Sequence, residues 1–519
     1  MTRLTDFTSY ADAQAQYSKA GLWELFDGTR ERFNIAHECI DRHMTGEAVA
    51  LRIAHADGRD EIVSFAELSR RSSQIAHFLT ARGVKKGERV AVMIEPSLPF
   101  YCALFGAMKA GAVAVPMFTL FGPDGIRLRV ADCAPTVFFT NAEKAPEAEE
   151  GGARNVIVAD AAFLDSLEGL PGTFDWDTAG DDLAVLQYTS GTTRLLPAAV
   201  HHSHRSIVTL MVAALYATGI RPGDRFFCPS SPAWGHGLWH GTLAPLAMGV
   251  STGTFSGKFD PVRLLKALQD FRITNLTAAA THYRMMRNSG EAENYTYAFE
   301  KLSFTGEPID SETAAYVERV FGTKVRSMYG TTEIGVIIAN YPGADDLEVR
   351  DGAMGKAVPG VEVEVQRGDG TRCDPGETGE LMVRKGGQWF PTKDLGRVDA
   401  DGYFYHGGRA DDVIISAGWT IGAIEVEDAI LSHPAVAECG VIGAPDSLRG
   451  QVVKAYIILK GAPEEGLAKA IQDHVRARLA RHEYPRQIEF VAELPKTPAG
   501  KVNRKILRDL QASTLAAAG

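Results

Sequence analysis

A loop rich in small hydroxyl residues follows an apolar segment near the middle of the chain. In LAVLQYTSGTT a predicted strand runs into a turn around Gly191, which is flanked by hydrogen-bond donors: Thr189, Ser190, Thr192 and Thr193. Such a turn also exposes backbone N–H groups, and these donors together suit phosphate oxygens. The pattern G-x-x-x-x-G-K-[ST] of another phosphate loop is absent. A surface turn rich in serine and threonine is the alternative that this stretch alone leaves open.

Helical and strand-like segments alternate along the first four-fifths of the chain. SFAELSRRSSQIAHFLTARG has apolar residues at helical spacing and is predicted to stop at Gly83, and ERVAVMIE then predicts a buried strand. FYCALFGAMKAGAVAVPM and PVRLLKALQDFRITNLTAA repeat the order of helix, turn and strand. This alternation predicts an α/β fold with largely parallel sheets.

The pattern changes from about Val361. VEVEVQRGDGTRCDPGETGELMVR predicts two strands around a turn and hence a β-rich module, and GGRADDVI is predicted to be a linker. The helices AIEVEDAILSHPAV and LAKAIQDHVRARLA, with the strands AECGVIGA and VVKAYIIL between them, predict a small α+β domain. The terminal QASTLAAAG is expected to be frayed.

Length and composition restrict the class of protein. A chain of 519 residues indicates two or more domains, and its 45% hydrophobic and 23% charged residues are ordinary for globular proteins. The net charge of -11 argues against general nucleic-acid binding. The six cysteines are scattered without a C-x-x-C pair, which favours reduced, buried thiols over a zinc site or disulfides. With a polar N-terminus and no apolar run long enough to span a membrane, a cytoplasmic protein is expected.

Four further motifs follow the hydroxyl-rich loop in a fixed order. They are FTGEPI at 304–309, MYGTTEIG at 328–335, GRADD at 408–412 and LPKTPAGKVNRKILRD at 494–509. In this order and spacing they resemble the adenylate-forming superfamily, which includes acyl- and aryl-CoA synthetases, peptide-synthetase adenylation domains and luciferases. The resemblance spans roughly residues 45 to 510. The chain is most similar to the acetyl- and medium-chain acyl-CoA synthetases.

The resemblance implies two domains and a nucleotide site. Residues 1–408 would bind ATP and the acid, and residues 409–519 would form a small mobile domain with its hinge near Asp411. Tyr329 would stack on adenine, Asp394 would accept both ribose hydroxyls, and Glu333 would hold Mg²⁺ beside the phosphates. The other implied nucleotide contacts are Gly306, Glu307, Pro308, Gly330, Thr331 and Arg409, together with the loop residues named above.

Catalytic roles are implied for Lys501, Thr332 and Glu333. Thr332 would donate to the α-phosphate. Lys501, next to Gly500 in a loop that swings into the site, would bridge the carboxylate and the α-phosphate during adenylation.

An acyl pocket and a tunnel for the CoA thiol are also implied. The stretch SPAWGHGLWHGTLAPLAMGV (231–250) would form the pocket wall through Trp234, His236 and Gly237, or it is a packed helix start with core aromatics. Relatives specific for acetate carry tryptophan at the position of Gly330, so glycine there predicts room for an acid larger than propionate. The tunnel would be lined by Gly418 and Trp419.

Three departures from the family pattern lie around the phosphates. After TSGTT, the glycine, proline, lysine and glycine of relatives are replaced by a longer segment: Arg194, Leu195, Leu196, Pro197, Ala198 and Ala199. Thr420 stands in place of an arginine, and Lys393 in place of a glycine. The residues expected to bind AMP are all present, whereas different side chains should bind the β- and γ-phosphates. Either Arg194 compensates for the missing lysine by binding phosphate bidentately, or the second half of the loop is degraded.

The resulting hypothesis is ATP-dependent activation of a carboxylic acid as acyl-AMP, followed by transfer to CoA. Rotation of the small domain would exchange Lys501 for the thiol tunnel. Two alternatives stay open: an adenylating enzyme with another acceptor, such as a carrier protein or an amine, and a non-catalytic nucleotide- or acyl-binding relic. The sequence specifies neither the acid nor the oligomeric state.

Overall fold

The computed structural model describes residues 4–188, 199–331, 334–409, 414–416, 419–446, 449–479, 483–497 and 500–518. The α-helices in these ranges are α1 Tyr10–Gln16, α2 Lys19–Trp23, α3 Ile35–Cys39, α4 Phe65–Ala81, α5 Leu98–Lys109, α6 Pro123–Cys133, α7 Ala145–Glu150, α8 Ala161–Ser166, α9 Ser206–Tyr216, α10 Ala244–Ala247, α11 Pro261–Asp270, α12 Ala280–Ser289, α13 Ser311–Phe321, α14 Ala423–Leu431, α15 Leu467–Arg478 and α16 Arg504–Ala518. Two short 3₁₀ turns, Asp41–His43 and Ala292–Asn294, and a π-helix, His236–Leu243, complete the helical segments of these ranges.

The strands in the same ranges are β1 Val49–His55, β2 Asp60–Ser64, β3 Arg89–Met93, β4 Val113–Pro116, β5 Val137–Thr140, β6 Val156–Val158, β7 Leu183–Tyr188, β8 Ala199–Ser203, β9 Phe226–Phe227, β10 Thr252–Ser256, β11 Asn275–Ala279, β12 Lys301–Thr305, β13 Val325–Thr331, β14 Gly335–Ala339, β15 Ala353–Ala357, β16 Val363–Gln366, β17 Gly379–Lys385, β18 Gln388–Val398, β19 Phe404–Arg409, β20 Ile414–Ser416, β21 Trp419–Ile421, β22 Val436–Asp446, β23 Gly450–Leu459 and β24 Gln487–Phe490.

Two large sheets organise the chain up to β19. The first has the order β6-β5-β3-β4-β7-β8, with parallel pairing except between β7 and β8. The second runs in the order β16-β17-β18-β19-β15-β14-β13-β12-β11-β9-β10-β1-β2. Its strands from β13 to β1 pair in parallel, and the part from β14 to β16 is antiparallel. The predicted α/β fold with parallel-rich sheets and a β-rich module is confirmed.

A third, smaller sheet holds the rest of the chain. Its order is β21-β20-β23-β22, and β24 pairs with β23. The apolar faces of α14 and α15 cover this sheet, burying Val426, Ile471 and Val475 in a core separate from those of the large sheets. The expected small α+β unit is therefore present. The predicted hinge residue Asp411 lies outside the described ranges, and the division at residue 408 stays a prediction.

Local signals explain several elements. The hydroxyl of Ser64 accepts the backbone N–H of Glu67 at the start of α4, which satisfies one of the free donors of the first turn. The helix ends just before Gly83, whose φ of +82° lies in the left-handed region where glycine carries no penalty. Both ends of α4 therefore agree with the sequence prediction.

Two expectations were wrong. The tail expected to fray forms the end of α16, because Leu507 is buried and Gln511 Oε1 accepts hydrogen bonds from Lys454 and Tyr456. The first three residues of the expected linker belong to β19, since that strand pairs with β18 as far as Arg409. As expected, all six cysteines are buried free thiols. No helix within the described ranges has the length and apolar character needed to cross a membrane.

Candidate nucleotide and acyl site

The ends of β7 and β8 mark the position of the hydroxyl-rich loop. Tyr188 and Ala199, the described residues on either side of it, are paired in register across the two antiparallel strands. The predicted phosphate contacts Thr189, Ser190, Gly191, Thr192 and Thr193 lie outside the described residues, as do Arg194, Thr332, Glu333 and Gly418. Trp419 and Thr420 lie on β21, where the backbone alone is described.

The predicted adenine and ribose residues are in contact with each other. The Tyr329 hydroxyl, at the end of β13, donates a hydrogen bond of 2.6 Å to Asp394 Oδ2 on β18. Asp394 is 5% exposed and stands in register with Arg409 on β19. The ring of His406, also on β19, lies 5.7 Å from that of Tyr329, and its Nε2 lies 3.9 Å from Asp394 Oδ1. A flat aromatic face and a buried carboxylate thus share one corner of the large sheet.

The glycine of the FTGEPI motif brings three distant segments together. Gly306 follows β12 with a φ of +98°, and a Cβ placed on it would lie 3.2 Å from Trp234 Cη2 and 3.4 Å from Lys501 Cε. Lys501 Nζ lies 5.8 Å from the centre of the Trp234 ring. The predicted catalytic lysine, the adenine-edge segment and the predicted acyl wall therefore meet at one place.

A tight turn presents Lys501. Its backbone N–H donates to Thr497 Oγ1 at 3.2 Å, and its carbonyl accepts the Thr497 N–H at 2.7 Å. Gly500 has a φ of +82°, which a residue with a side chain adopts only with strain. The turn fixes the backbone beneath the lysine while the side chain extends towards Trp234.

A largely buried ion pair stands directly behind this junction, with 16% of the Arg284 side chain and 20% of the Glu307 side chain exposed. Glu307, followed by Pro308, contacts the guanidinium of Arg284 on α12, and its Oε1 accepts the Thr281 hydroxyl at 2.5 Å. Burial raises the pKa of the Glu307 carboxyl, but the charge of Arg284, the hydrogen bond from Thr281 and the charges of Lys501 and Arg504 outweigh it and lower the pKa. Glu307 is therefore charged at neutral pH and faces the cations of the C-terminal segment.

The C-terminal unit also docks through α14. Asp428 Oδ1 accepts the backbone N–H of Ser311 at the start of α13 at 3.2 Å. Within that unit, Glu427 holds Arg504 at 2.6 Å and accepts the Val441 N–H at 2.8 Å. The side chain that would serve adenylation, Lys501, is thus held on the acyl and nucleotide face of the large sheet.

The predicted acyl wall contains a π-helix, His236–Leu243. His236 is 4% exposed, and its two ring nitrogens lie 3.0 Å from Ser230 Oγ and 3.0 Å from Thr277 Oγ1. Burial, with smaller effects from His240, His282 and Lys501, lowers the pKa of His236 well below its usual range, so the ring is neutral. A Cβ at Gly237 would lie 2.2 Å from the Ser231 carbonyl oxygen, so this glycine is required by close backbone packing.

One residue of β7 supports this wall from behind. Gln187 Oε1 accepts the indole N–H of Trp239 at 3.1 Å, and its Nε2 donates to the Ala233 carbonyl at 3.4 Å. Because Gln187 immediately precedes Tyr188, the strand that leads into the hydroxyl-rich loop also positions the π-helix.

Gly330 does not open onto free space, contrary to the prediction. A Cβ there would lie 2.0 Å from the Gly335 carbonyl oxygen, because β14 folds back against β13 beside an irregularity between Tyr329 and Gly330. The glycine is required by this close approach, so its identity does not report the size of the acid. Thr331 ends the same strand.

Lys393 occupies a position with glycine geometry. Its φ of +64° lies in the left-handed region, and its side chain is exposed next to buried Asp394. A side chain in this region costs roughly 1–2 kcal/mol. The lysine that replaces the glycine of relatives is thus held in a strained backbone conformation.

Several residues of the site carry no recognisable sequence signal. Arg284 and Thr281 lie in THYRMM, and His406 lies in FYHGGR, yet neither spacing nor composition separates them from ordinary surface or core residues. Their partners are distant in sequence, so the pairings emerge from the fold.

Comparison with family models agrees with these features. The AMP-binding enzyme model matches residues 40–390, and the model of the AMP-binding enzyme C-terminal domain matches residues 425–501. The two matches together cover most strands of the large sheets and of the smaller C-terminal sheet; β19, β20, β21 and most of β18 lie between them.

Similar proteins span nearly the whole chain. An acyl–CoA ligase of Bacillus subtilis, YtcI, whose own function is uncharacterized, is 31% identical over 92% of this chain and 96% of its own length. The acetyl-coenzyme A synthetase of the same organism is 31% identical over 92% of this chain and 90% of its length. Among solved structures, the anthranilate CoA ligase AuaEII in complex with anthranoyl-AMP is 29% identical with a TM-score of 0.86, covering 95% of this chain and 99% of that one.

Proposed function

Because the chain belongs to the family of AMP-binding enzymes, we propose that it is an AMP-forming acid–CoA ligase. It activates a carboxylic acid larger than propionate with ATP and transfers the acyl group to CoA. The meeting of Lys501, Gly306 and Trp234 carries the proposal, since the segments proposed to serve catalysis, the nucleotide and the acid lie together although they are far apart in sequence.

In the first half-reaction, a carboxylate oxygen attacks the α-phosphorus of ATP. The bond from that phosphorus to the bridging oxygen breaks, and pyrophosphate leaves. Lys501 neutralises the charge that builds up between carboxylate and α-phosphate, which is the largest type of contribution a fixed cation makes. Tyr329 and Asp394 hold the adenosine, and Glu307 fixes the backbone segment at the base.

In the second half-reaction, the CoA thiol loses its proton to solvent and its sulfur attacks the acyl carbon. The carbon–oxygen bond to AMP breaks, and thioester and AMP are released. The small C-terminal unit rotates between the two steps so that Lys501 withdraws and the Gly418–Trp419 segment lines the thiol path. Mg²⁺ is proposed to neutralise phosphate charge, held by Glu333, phosphate oxygens and water. Within the described ranges, no cluster of three or more histidine, cysteine or acidic side chains is arranged to hold a metal. We propose that the protein acts in the cytoplasm, which supplies ATP and CoA.

The test is a panel of acids with ATP and Mg²⁺, with and without CoA, in which pyrophosphate, AMP and thioester are measured separately. A CoA ligase forms acyl-AMP without CoA, and the thioester appears when CoA is added. Acyl-AMP that never transfers to CoA would instead support another acceptor. Absence of pyrophosphate with every acid would refute ligase activity and favour the binding relic that the altered segment Arg194–Ala199 suggests.

A further inference from the structure

A buried arginine lies at the base of the hydroxyl-rich loop. Arg129, on α6, is 7% exposed, and its Cζ lies 3.6 Å from the centre of the Phe121 ring and 5.4 Å from that of the Tyr188 ring. Tyr188 is the last residue of β7, and Thr189 of the loop follows it directly in the sequence. The arginine is therefore packed against the residue from which the loop departs.

The charge of Arg129 has no counter-ion in the described part of the chain. Its Nη1 donates to the carbonyl oxygen of Gly125 on the same helix at 2.8 Å, and its buried Nε has no hydrogen-bond partner there. Burial lowers the pKa of the guanidinium, and the opposing effect comes from Tyr188 and not from a carboxylate. The faces of two aromatic rings offset part of the cost of burying a cation. The rest of that cost calls for an explanation, which a bound anion can supply.

The acidic residue that follows on α6 holds Tyr188 instead of Arg129. Asp132 Oδ2 accepts the Tyr188 hydroxyl at 2.7 Å, and the same hydroxyl lies 3.2 Å from the carbonyl oxygen of Arg129. The Asp132 carboxylate is thus engaged by a neutral group, which leaves the charge of Arg129 unbalanced. Tyr188 in turn is fixed against α6 by its hydroxyl and by its ring.

We propose that Arg129 is a fixed cation beneath the phosphate loop that raises the affinity of the site for the β- and γ-phosphates of ATP. The inference rests on the proposed function, in which the hydroxyl-rich loop binds these phosphates. At the effective dielectric constant of about 20 that applies inside proteins, two unit charges roughly 10 Å apart attract each other enough to change an affinity about tenfold. Direct contact with the nucleotide is therefore not required. AMP lacks both phosphates and should depend on Arg129 much less.

The test measures the dissociation constants of ATP and of AMP for the full-length protein by isothermal titration calorimetry, with Mg²⁺ present. Arg129→Met keeps most of the buried volume and removes the charge. We expect its affinity for ATP to fall about tenfold and its affinity for AMP to change less than about threefold. Arg129→Lys keeps the charge and should retain most of the affinity for ATP. Arg127→Met is the matched control, because Arg127 lies on the same helix, is 54% exposed and is paired with Asp124; it should change neither affinity.

Unfolding in urea separates this role from a structural one. Because Arg129→Met removes a buried cation that lacks a counter-ion, the variant should be at least as stable as the original protein. A variant that is clearly less stable or fails to fold, that binds ATP as tightly as before, or that loses affinity for ATP and AMP equally would overturn the inference. Each of these results leaves ligase activity in the acid panel standing. If the unaltered protein binds no ATP, the proposed function fails and this inference fails with it.

Discussion

Separating Glu307 from Arg284 should cost far more stability than separating an ion pair on the surface. Both side chains are largely buried, and Glu307 Oε1 also accepts the Thr281 hydroxyl. In Glu307→Gln the amide can keep the contact with Thr281. Of its ion-pair contacts, Arg284 then keeps the one with Asp310 Oδ2, at 3.7 Å. Removing one partner of a buried pair costs about 3–5 kcal/mol, and the contact with Asp310 places this variant near 3.

The assay is a double-mutant cycle in urea unfolding. Arg284→Met leaves Glu307 buried without its main cation and should cost about as much as Glu307→Gln, whereas the double variant leaves no uncompensated charge. The coupling free energy should therefore be about 2–3 kcal/mol. The pair Arg319–Glu293, at 2.6 Å with both side chains 62% exposed, is the matched control, and its coupling should not exceed about 1 kcal/mol.

The pH dependence has a defined sign. The pKa of Glu307 is lowered in the folded protein, after burial is offset by Arg284. Its contribution is therefore fully present above the pKa of an unfolded glutamate and is lost as the pH falls through the lowered value. Glu307→Gln should lack this part of the acid sensitivity. The ion-pair reasoning is refuted if the double variant loses as much unfolding free energy as the two single variants together, within about 0.5 kcal/mol.

Three further predictions concern the reaction site. Lys501→Ala should slow acyl-AMP formation by about 10²–10³ while sparing thioester formation from supplied acyl-AMP; equal losses in both half-reactions would contradict its proposed role. Lys393→Gly should raise the free energy of unfolding in urea by about 0.5–1 kcal/mol, because relief of the left-handed strain exceeds the entropy that glycine adds to the unfolded chain. Gln388→Gly on the same strand, without left-handed φ, should lower it. Arg194→Gly should raise the apparent KM for ATP about ten- to a hundredfold if Arg194 binds the departing phosphates, and an unchanged KM would exclude that contact.

The sequence predicts elements whose signals are local. The helix α4 has its cap in Ser64 and its stop in Gly83, and the strands of the α/β part are short apolar runs between turns. The errors fall where distant contacts decide. QASTLAAAG has the composition of a frayed end, yet α16 continues through it because Gln511 is held by Lys454 and Tyr456, some 55 residues away.

The sequence likewise indicates some residues of the site and not others. Motif resemblance indicated Tyr329, Asp394 and Lys501, and the structure places the first two in hydrogen-bond contact. It could not indicate Arg284, because an arginine on an amphipathic helix is ordinary until its buried partner is known. For Gly330, resemblance suggested pocket size, whereas the backbone of β14 already requires a glycine there.

The distribution of strain bears on how the altered phosphate site arose. Lys393 keeps a side chain at a left-handed position that glycine would occupy at lower cost, directly beside the buried carboxylate of Asp394. If this strain is maintained for function, the Lys393 cation offsets part of the charge lost with the missing loop lysine and with Thr420. Lys393→Gly should therefore gain stability and lose ATP affinity together, the exchange expected when strain is maintained for function. If the variant is more stable and binds ATP as before, Lys393 does not contribute to ATP binding. Arg194 would then be the gained cation that could still contact the phosphates.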